Sequence, residues 1–208
     1  MPVVTISRMY GSGGSEVAER IARELGWTLY DNAMVDAVAE RTGLTRAEVV
    51  EREERVPSMV ERIATSLSLG TPESLPAIPD RPIVPAEEQV VDITRRVIQE
   101  AVQRGPAVLV GRGAQCVLAD RRDAIHVFCY APRAALVQRA IAELHVDPRA
   151  AEKTVADTNR HREQYVRRHF HRDWRDVTNY HLCLDTHWLG IDRAAELVVR
   201  LARERFGL

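Results

Sequence analysis

The sequence predicts a three-layer α/β domain: a parallel sheet covered by helices on both faces. Three observations predict it. Short apolar runs alternate with amphipathic helical patterns, and strands buried on both faces read as continuous apolar runs. A glycine-rich turn joins the first run to the first helix. At 208 residues, 45% of them hydrophobic, the chain has the size of one domain carrying an insertion.

Val3 to Ser7 reads as a buried strand. After the turn, Val17, Ala18, Ile21, Ala22 and Leu25 fall on one face, so a helix runs from about Gly13 to Leu25. Gly26 fits its C-cap. Trp27 to Tyr30 makes a short strand. Asp31 or Asn32 then caps a helix through Met34, Val35, Val38 and Ala39. Thr45 and Glu48 have capping-box spacing and open another helix, which Pro57 interrupts. Pro72, Pro76, Pro79, Pro82 and Pro85 mark residues 70–86 as a loop or arm. A helix resumes from Glu87 to about Arg104, with Val90, Ile93, Thr94, Val97, Ile98 and Ala101 inward. Residues 45–104 are thus a helical insertion in a single domain spanning 1–208.

Ala107 to Val110 and Ile125 to Tyr130 read as further core strands. Pro132 to Leu144 and Asp147 to Tyr165 read as helices, the second running into an arginine-rich stretch. His181 to Leu184 is the last strand. Asp192 to Phe206 closes the chain as a helix with Leu197, Val198 and Leu201 inward.

Composition removes several function classes. A net charge of -1 gives no whole-protein basic field for nucleic acid. No apolar run approaches the roughly 18 residues of a membrane helix, and the N-terminus lacks the order of a signal peptide, so the cytoplasm is the expected location. Cys116, Cys129 and Cys183 lack CxxC spacing, which argues against structural zinc. His169-x-His171 lacks a fitting third ligand. Lys153 is the single lysine among 29 basic residues, so phosphate chemistry here must run on arginine.

Ser7-Arg8-Met9-Tyr10-Gly11-Ser12-Gly13-Gly14-Ser15 carries the strongest functional signal. Glycines accept positive φ and let backbone N–H groups approach an anion. The following helix adds its partial positive N-terminus. The predicted result is a phosphate cradle of Gly11, Ser12, Gly13, Gly14 and Ser15, with Ser15 placed to offer a hydroxyl to Mg²⁺. A glycine-rich turn without a ligand is the plainer alternative.

Together with Thr5-Ile6-Ser7-Arg8, Val17-Ala18, Tyr30-Asp31, Val110-Gly111-Arg112-Gly113, Arg160 to Tyr165, Trp174 and Tyr180-His181-Leu182, this loop resembles the cytidylate-kinase-like P-loop proteins. The resemblance covers nearly the whole chain outside about residues 55–88. It implies a P-loop NTPase fold and transfer of the γ-phosphoryl of ATP to a nucleoside monophosphate, with Mg²⁺. It also implies Arg112 as an acceptor-phosphate ligand and an acceptor site facing Asp31.

Three positions differ from cytidylate kinase. In Gly-x-x-x-x-Gly-Lys-Ser/Thr, the lysine position is Gly14 and the first glycine position is Arg8. Arg8 is placed to reach back over the loop and supply the missing charge. Val110 stands where the kinase has an acid. The Asp-x-x-Arg of the kinase lid reads Asn159-x-x-Arg162.

The expected machinery is therefore Arg8, Arg112, Arg160 and Arg162 for charge neutralisation, with Asp31, Arg112, Asn159 and Arg162 on the acceptor side. Arg112 paired to a surface acid and Asp31 as a plain helix cap are the alternatives. Residues 157–176 are expected to act as an arginine-rich lid, although Tyr165, Phe170 and Trp174 between the charges also suit single-stranded nucleic acid. The Pro-rich arm either covers the acceptor site or clasps a second subunit as a homodimer. The leading reading is ATP-dependent phosphoryl transfer to a small phosphorylated acceptor. The competing one is a nucleotide-binding sensor or partner-binding module without turnover.

Overall fold

The computed structural model describes residues 1–45, 47 and 87–208. The Pro-rich arm, Glu48 of the expected capping box and Pro57 lie outside these residues. Of the predicted insertion, Thr45, Ala47 and the helix from Glu87 lie inside them.

Five strands form one sheet: β1 (Val3–Arg8), β2 (Thr28–Tyr30), β3 (Ala107–Val110), β4 (Ala124–Tyr130) and β5 (Leu182–Asp185). All pairs are parallel, in the order β2-β3-β1-β4-β5. β1 is central: Ile6 lies opposite Val110 on one side and Val127 on the other. The helices are α1 (Gly14–Leu25), α2 (Asn32–Thr42), α3 (Glu87–Arg104), α4 (Ala114–Val117), α5 (Arg133–Leu144), α6 (Pro148–Phe170), α7 (Thr186–Leu189) and α8 (Ile191–Phe206).

The two-residue period of the strands divides the core. Val4, Ile6, Val108, Val110, Ile125, Val127 and Cys129 face α1 and α8. Val3, Ala107, Leu109 and Ala124 face α2 and α3. Ile6 is fully buried between its neighbours, and truncation of such a side chain to alanine costs ~2–5 kcal/mol. The expected three-layer α/β architecture is what the chain adopts.

Several predicted details change. Leu197 is exposed, because the buried face of α8 is Ala194, Ala195, Val198, Val199 and Ala202, and Leu197 falls one step outside that stripe. Asp31 occupies the N-cap position of α2 but makes no side-chain cap hydrogen bond; its carboxylate lies 3.6 Å from Arg8 instead. α6 continues past Tyr165 to Phe170. Gly26 caps α1 in the left-handed conformation, as predicted.

Candidate functional site

The loop between β1 and α1 is built by its glycines and held from three sides. Gly11 and Gly13 sit at φ 78° and 72°, where a side chain would be strained. A Cβ on Gly11 would also stand 2.6 Å from the carbonyl oxygen of Leu136 on α5. Ser12 is buried, and its hydroxyl donates to Met9 O at 2.8 Å. That proton is therefore committed to the turn rather than to a ligand. The Thr186 hydroxyl stands 2.6 Å from Ser12 O and 3.0 Å from Tyr130 O, tying the loop to β4 and α7. From α6, Asn159 Oδ1 accepts from Tyr10 N–H and Arg162 donates to Arg8 O, both at 2.8 Å.

Ser15 is half-buried in the first turn of α1. Among the described residues no group of three or more His, Cys, Asp or Glu side chains stands close enough to hold a metal ion. The Ser15 hydroxyl, in the first turn of the helix that follows the glycine loop, fits Mg²⁺, which takes few protein ligands and completes its shell from phosphate oxygens and water.

Arg8 does not reach back over the loop. Its stem passes beside Gly14 and its guanidinium lies against Gly111, with Asp31 beyond. There it joins a cavity of about 60 Å³ lined by Ser7, Arg8, Arg112, Gln115, Arg162 and Trp174, among others. This space suits one small oxyanion group.

Arg112 enters the cavity on an unusual backbone. Gly111, Arg112 and Gly113 are successive left-handed residues, with φ 73°, 58° and 68°. A non-glycine residue there is held at a cost of about 1–3 kcal/mol, and such strain gathers at functional positions. Gly113 is obligatory, since its Cβ would meet the Phe170 ring. Burial pushes the Arg112 guanidinium down to about 10; Arg8 lowers it further, while Tyr165 and Asp31 oppose the shift. Three guanidinium groups line this space, with the Asp31 carboxylate 3.6 Å from Arg8, and like charges brought together there favour an anion between them.

Not all predicted site residues meet here. Arg8, Arg112 and Arg162 do, and Asp31 stands behind Arg8. Arg160 is exposed and paired with Asp157 on the outer face of α6, because it lies two positions before Arg162 on the same helix and so points away. Asn159 is buried, but its carbonyl oxygen holds the loop rather than opening to an acceptor. Within the stretch 157–176, Arg167 and Arg175 pair with Glu163. Trp174 is buried edge-on to Phe128, 5.3 Å between ring centroids. Sequence reading missed Gln115 and Ser7 as cavity walls. Their only sequence signal is closeness to Gly-Arg-Gly and to the loop.

Arg139 lies beside Gly13, paired with Glu16 and, at 2.7 Å, with Glu143. A second, open concavity of about 640 Å³ runs from Gly11 and Ser12 past Arg139 to Thr186, His187 and Ile191. Among the described residues no helix is long and apolar enough to cross a membrane.

Solved structures share this architecture at low identity. An uncharacterized protein from Eubacterium ventriosum aligns at TM-score 0.70 and 18% identity, over 97% of this chain and 98% of its own. A shikimate kinase from Acinetobacter baumannii, in complex with shikimate, aligns at 0.54 and 17% over 98% and 94%. A gluconokinase from Sinorhizobium meliloti aligns at 0.51 and 16% over 99% and 95%. These likenesses support the P-loop kinase fold. No curated protein sequence matches the chain. The profile of one family does, over residues 3–187, from the first strand through the phosphate loop, Gly111-Arg112-Gly113 and α6 to Thr186, and on that match the chain belongs to the cytidylate kinase-like family.

Proposed function

We propose that this protein transfers the γ-phosphoryl group of ATP to a small phosphorylated acceptor resembling a nucleoside monophosphate, in the cytoplasm. One observation carries the reading: Arg8, Arg112 and Arg162 converge on an anion-sized cavity directly beside a glycine-rich strand–loop–helix cradle.

The donor phosphates lie along the loop, where the first N–H groups of α1 lack helical partners. The rest of ATP occupies the open concavity between Arg139 and Thr186–Ile191. Ser15 would hold Mg²⁺, which would supply charge neutralisation to the donor oxygens. The acceptor's anionic group sits in the arginine cavity. An acceptor phosphate oxygen attacks the γ-phosphorus, the bond to the β-bridging oxygen breaks, and ADP leaves. The acceptor oxygen is already anionic, so no general base is required and positioning carries the step.

A nucleotide-binding module without turnover is the second reading, favoured by glycine at the lysine position. Titration calorimetry with ATP and a non-hydrolysable analogue, with and without Mg²⁺, tests the donor site. ADP release across nucleoside monophosphates, shikimate and gluconate tests turnover and asks whether phosphate or carboxylate fills the cavity. Micromolar ATP binding with ADP release on a phosphorylated acceptor is the expected result. Binding without release on any acceptor gives the module reading, and no binding removes both.

A further inference from the structure

The path of the Arg8 side chain explains why the lysine position is glycine. A Cβ on Gly14 would lie closer than 3.0 Å to Arg8 Cβ, at 3.0 Å from Arg8 Cγ and at 3.2 Å from Cys129 Cβ. The first contact is with a rigid part of Arg8, so no rotamer change relieves it. Gly14 has no positive φ, so backbone geometry alone does not demand glycine there. At the far end of the same side chain, a Cβ on Gly111 would lie closer than 3.0 Å to Arg8 Nη1. Two glycines 97 positions apart in the sequence thus form a slot, and Arg8 fills it from end to end.

We infer that Arg8 and Gly14 are a coupled exchange: the loop's cation has moved from its last turn to its first residue. The stem of Arg8 takes the space that a residue-14 side chain would fill. This rests on the phosphoryl-transfer reading and deepens it. The charge does not return to where a lysine would have placed it. It lands in the cavity with Arg112 and Arg162, 3.6 Å from Asp31. The stem of this arginine lies against the donor loop at Gly14 and its guanidinium lies in the cavity at Gly111, so one side chain spans both, with a planar fork suited to oxyanions at its end. Arginine at 8 leaves no room for a side chain at 14, and glycine at 14 removes the cation that position would have carried.

Two experiments test the exchange independently. Melting temperatures are measured for wild type, Gly14→Ala, Arg8→Gly and the double variant. Alanine at 14 is expected to lower the melting temperature by about 4 °C or more beside Arg8, the scale of overpacking in a domain this size. Less than half that loss is expected in the Arg8→Gly background, where Cys129 remains the tight neighbour. Equal losses in both backgrounds, or failure to fold in both, overturn the slot. Folding only of the double variant supports it.

The second experiment titrates Mg-ATP into wild type, Arg8→Gly and Arg8→Gly/Gly14→Lys. The single variant is expected to bind about tenfold or more weakly, and the double to recover to within about threefold of wild type. A double variant as weak as the single overturns the charge exchange. If wild type itself binds no nucleotide, the phosphoryl-transfer reading and the charge exchange fail together, while the melting cycle still decides the steric slot.

Discussion

Asn159 and Arg162, on one face of α6, grip the phosphate loop at two points two residues apart: Asn159 accepts from Tyr10 N–H and Arg162 donates to Arg8 O, each at 2.8 Å. The guanidinium of Arg162 also lies over the Tyr10 ring, 6.0 Å from its centroid. One helix therefore sets the loop's shape and lines the cavity beside it. Asn159 contributes only to the first task. Asn159→Ala strands a backbone donor, which costs ~1–3 kcal/mol. It is expected to lower the melting temperature by about 2–8 °C and to weaken ATP while leaving inorganic phosphate affinity within about twofold. Calorimetry with both ligands checks the split.

Arg112 is held in the left-handed region between two glycines and lines the arginine cavity. Arg112→Gly removes a half-buried charge and a left-handed side-chain residue together. The variant relieves about 1–3 kcal/mol of backbone strain and gives up the contacts of the guanidinium, so its melting temperature without added anion is expected to stay within about 5 °C of wild type. It is also expected to lose the stabilisation that millimolar phosphate or sulfate gives the parent. Thermal denaturation across an anion series reads both effects.

His126 gives the fold a pH dependence. It is buried under its neighbours on β4, with Nδ1 2.8 Å from the Thr5 hydroxyl and its ring stacked on His181. Burial, then the charge of His181, pushes it down to about 4. The folded pKa lies below the unfolded one, so the unfolded chain binds the extra proton between about pH 6.5 and 4. Stability from this group is complete above about 6.5 and is lost as pH falls through that window, by ~3 kcal/mol at most. His126→Gln is expected to flatten the acid limb of a denaturation profile at pH 4–7 relative to wild type.

Thr186 shows how the loop is tied to the far side of the sheet. Its single hydroxyl proton serves either Ser12 O or Tyr130 O. Thr186→Val keeps the shape and removes that donor, at a cost of ~1–3 kcal/mol. Faster backbone amide exchange at Ser12–Ser15, with β3 unchanged, is the expected signature by hydrogen–deuterium exchange.

The fold was legible because its signals are local. Val3–Ile6, Ala107–Val110 and Ile125–Tyr130 are apolar runs wherever they sit, and Gly11, Gly13, Gly111 and Gly113 mark positive φ by residue type alone. The site was legible in part. Arg112 stood out between two glycines, but the outward turn of Arg160 depends on helical phase within a stretch of many arginines. The hold of Asn159 on Tyr10 joins positions 149 residues apart, and no spacing rule reaches that far. Asp31 carried a helix-cap pattern, yet a nearby guanidinium outcompetes the cap. Gln115 has no sequence mark beyond its place one turn after Arg112.

The indole ring in the cavity wall has a practical consequence. Trp174 is 3% exposed and borders the space where three guanidinium groups meet, whereas Trp188 stands 81% exposed on α7. An arriving anion changes the electric field at the first ring and leaves the second in water. A cationic quencher such as caesium is expected to silence Trp188 and spare Trp174, while Trp27, half-buried against Phe206, adds a constant background. On the proposed reading, an anion entering the cavity is expected to change Trp174 emission in stopped flow, with no label added.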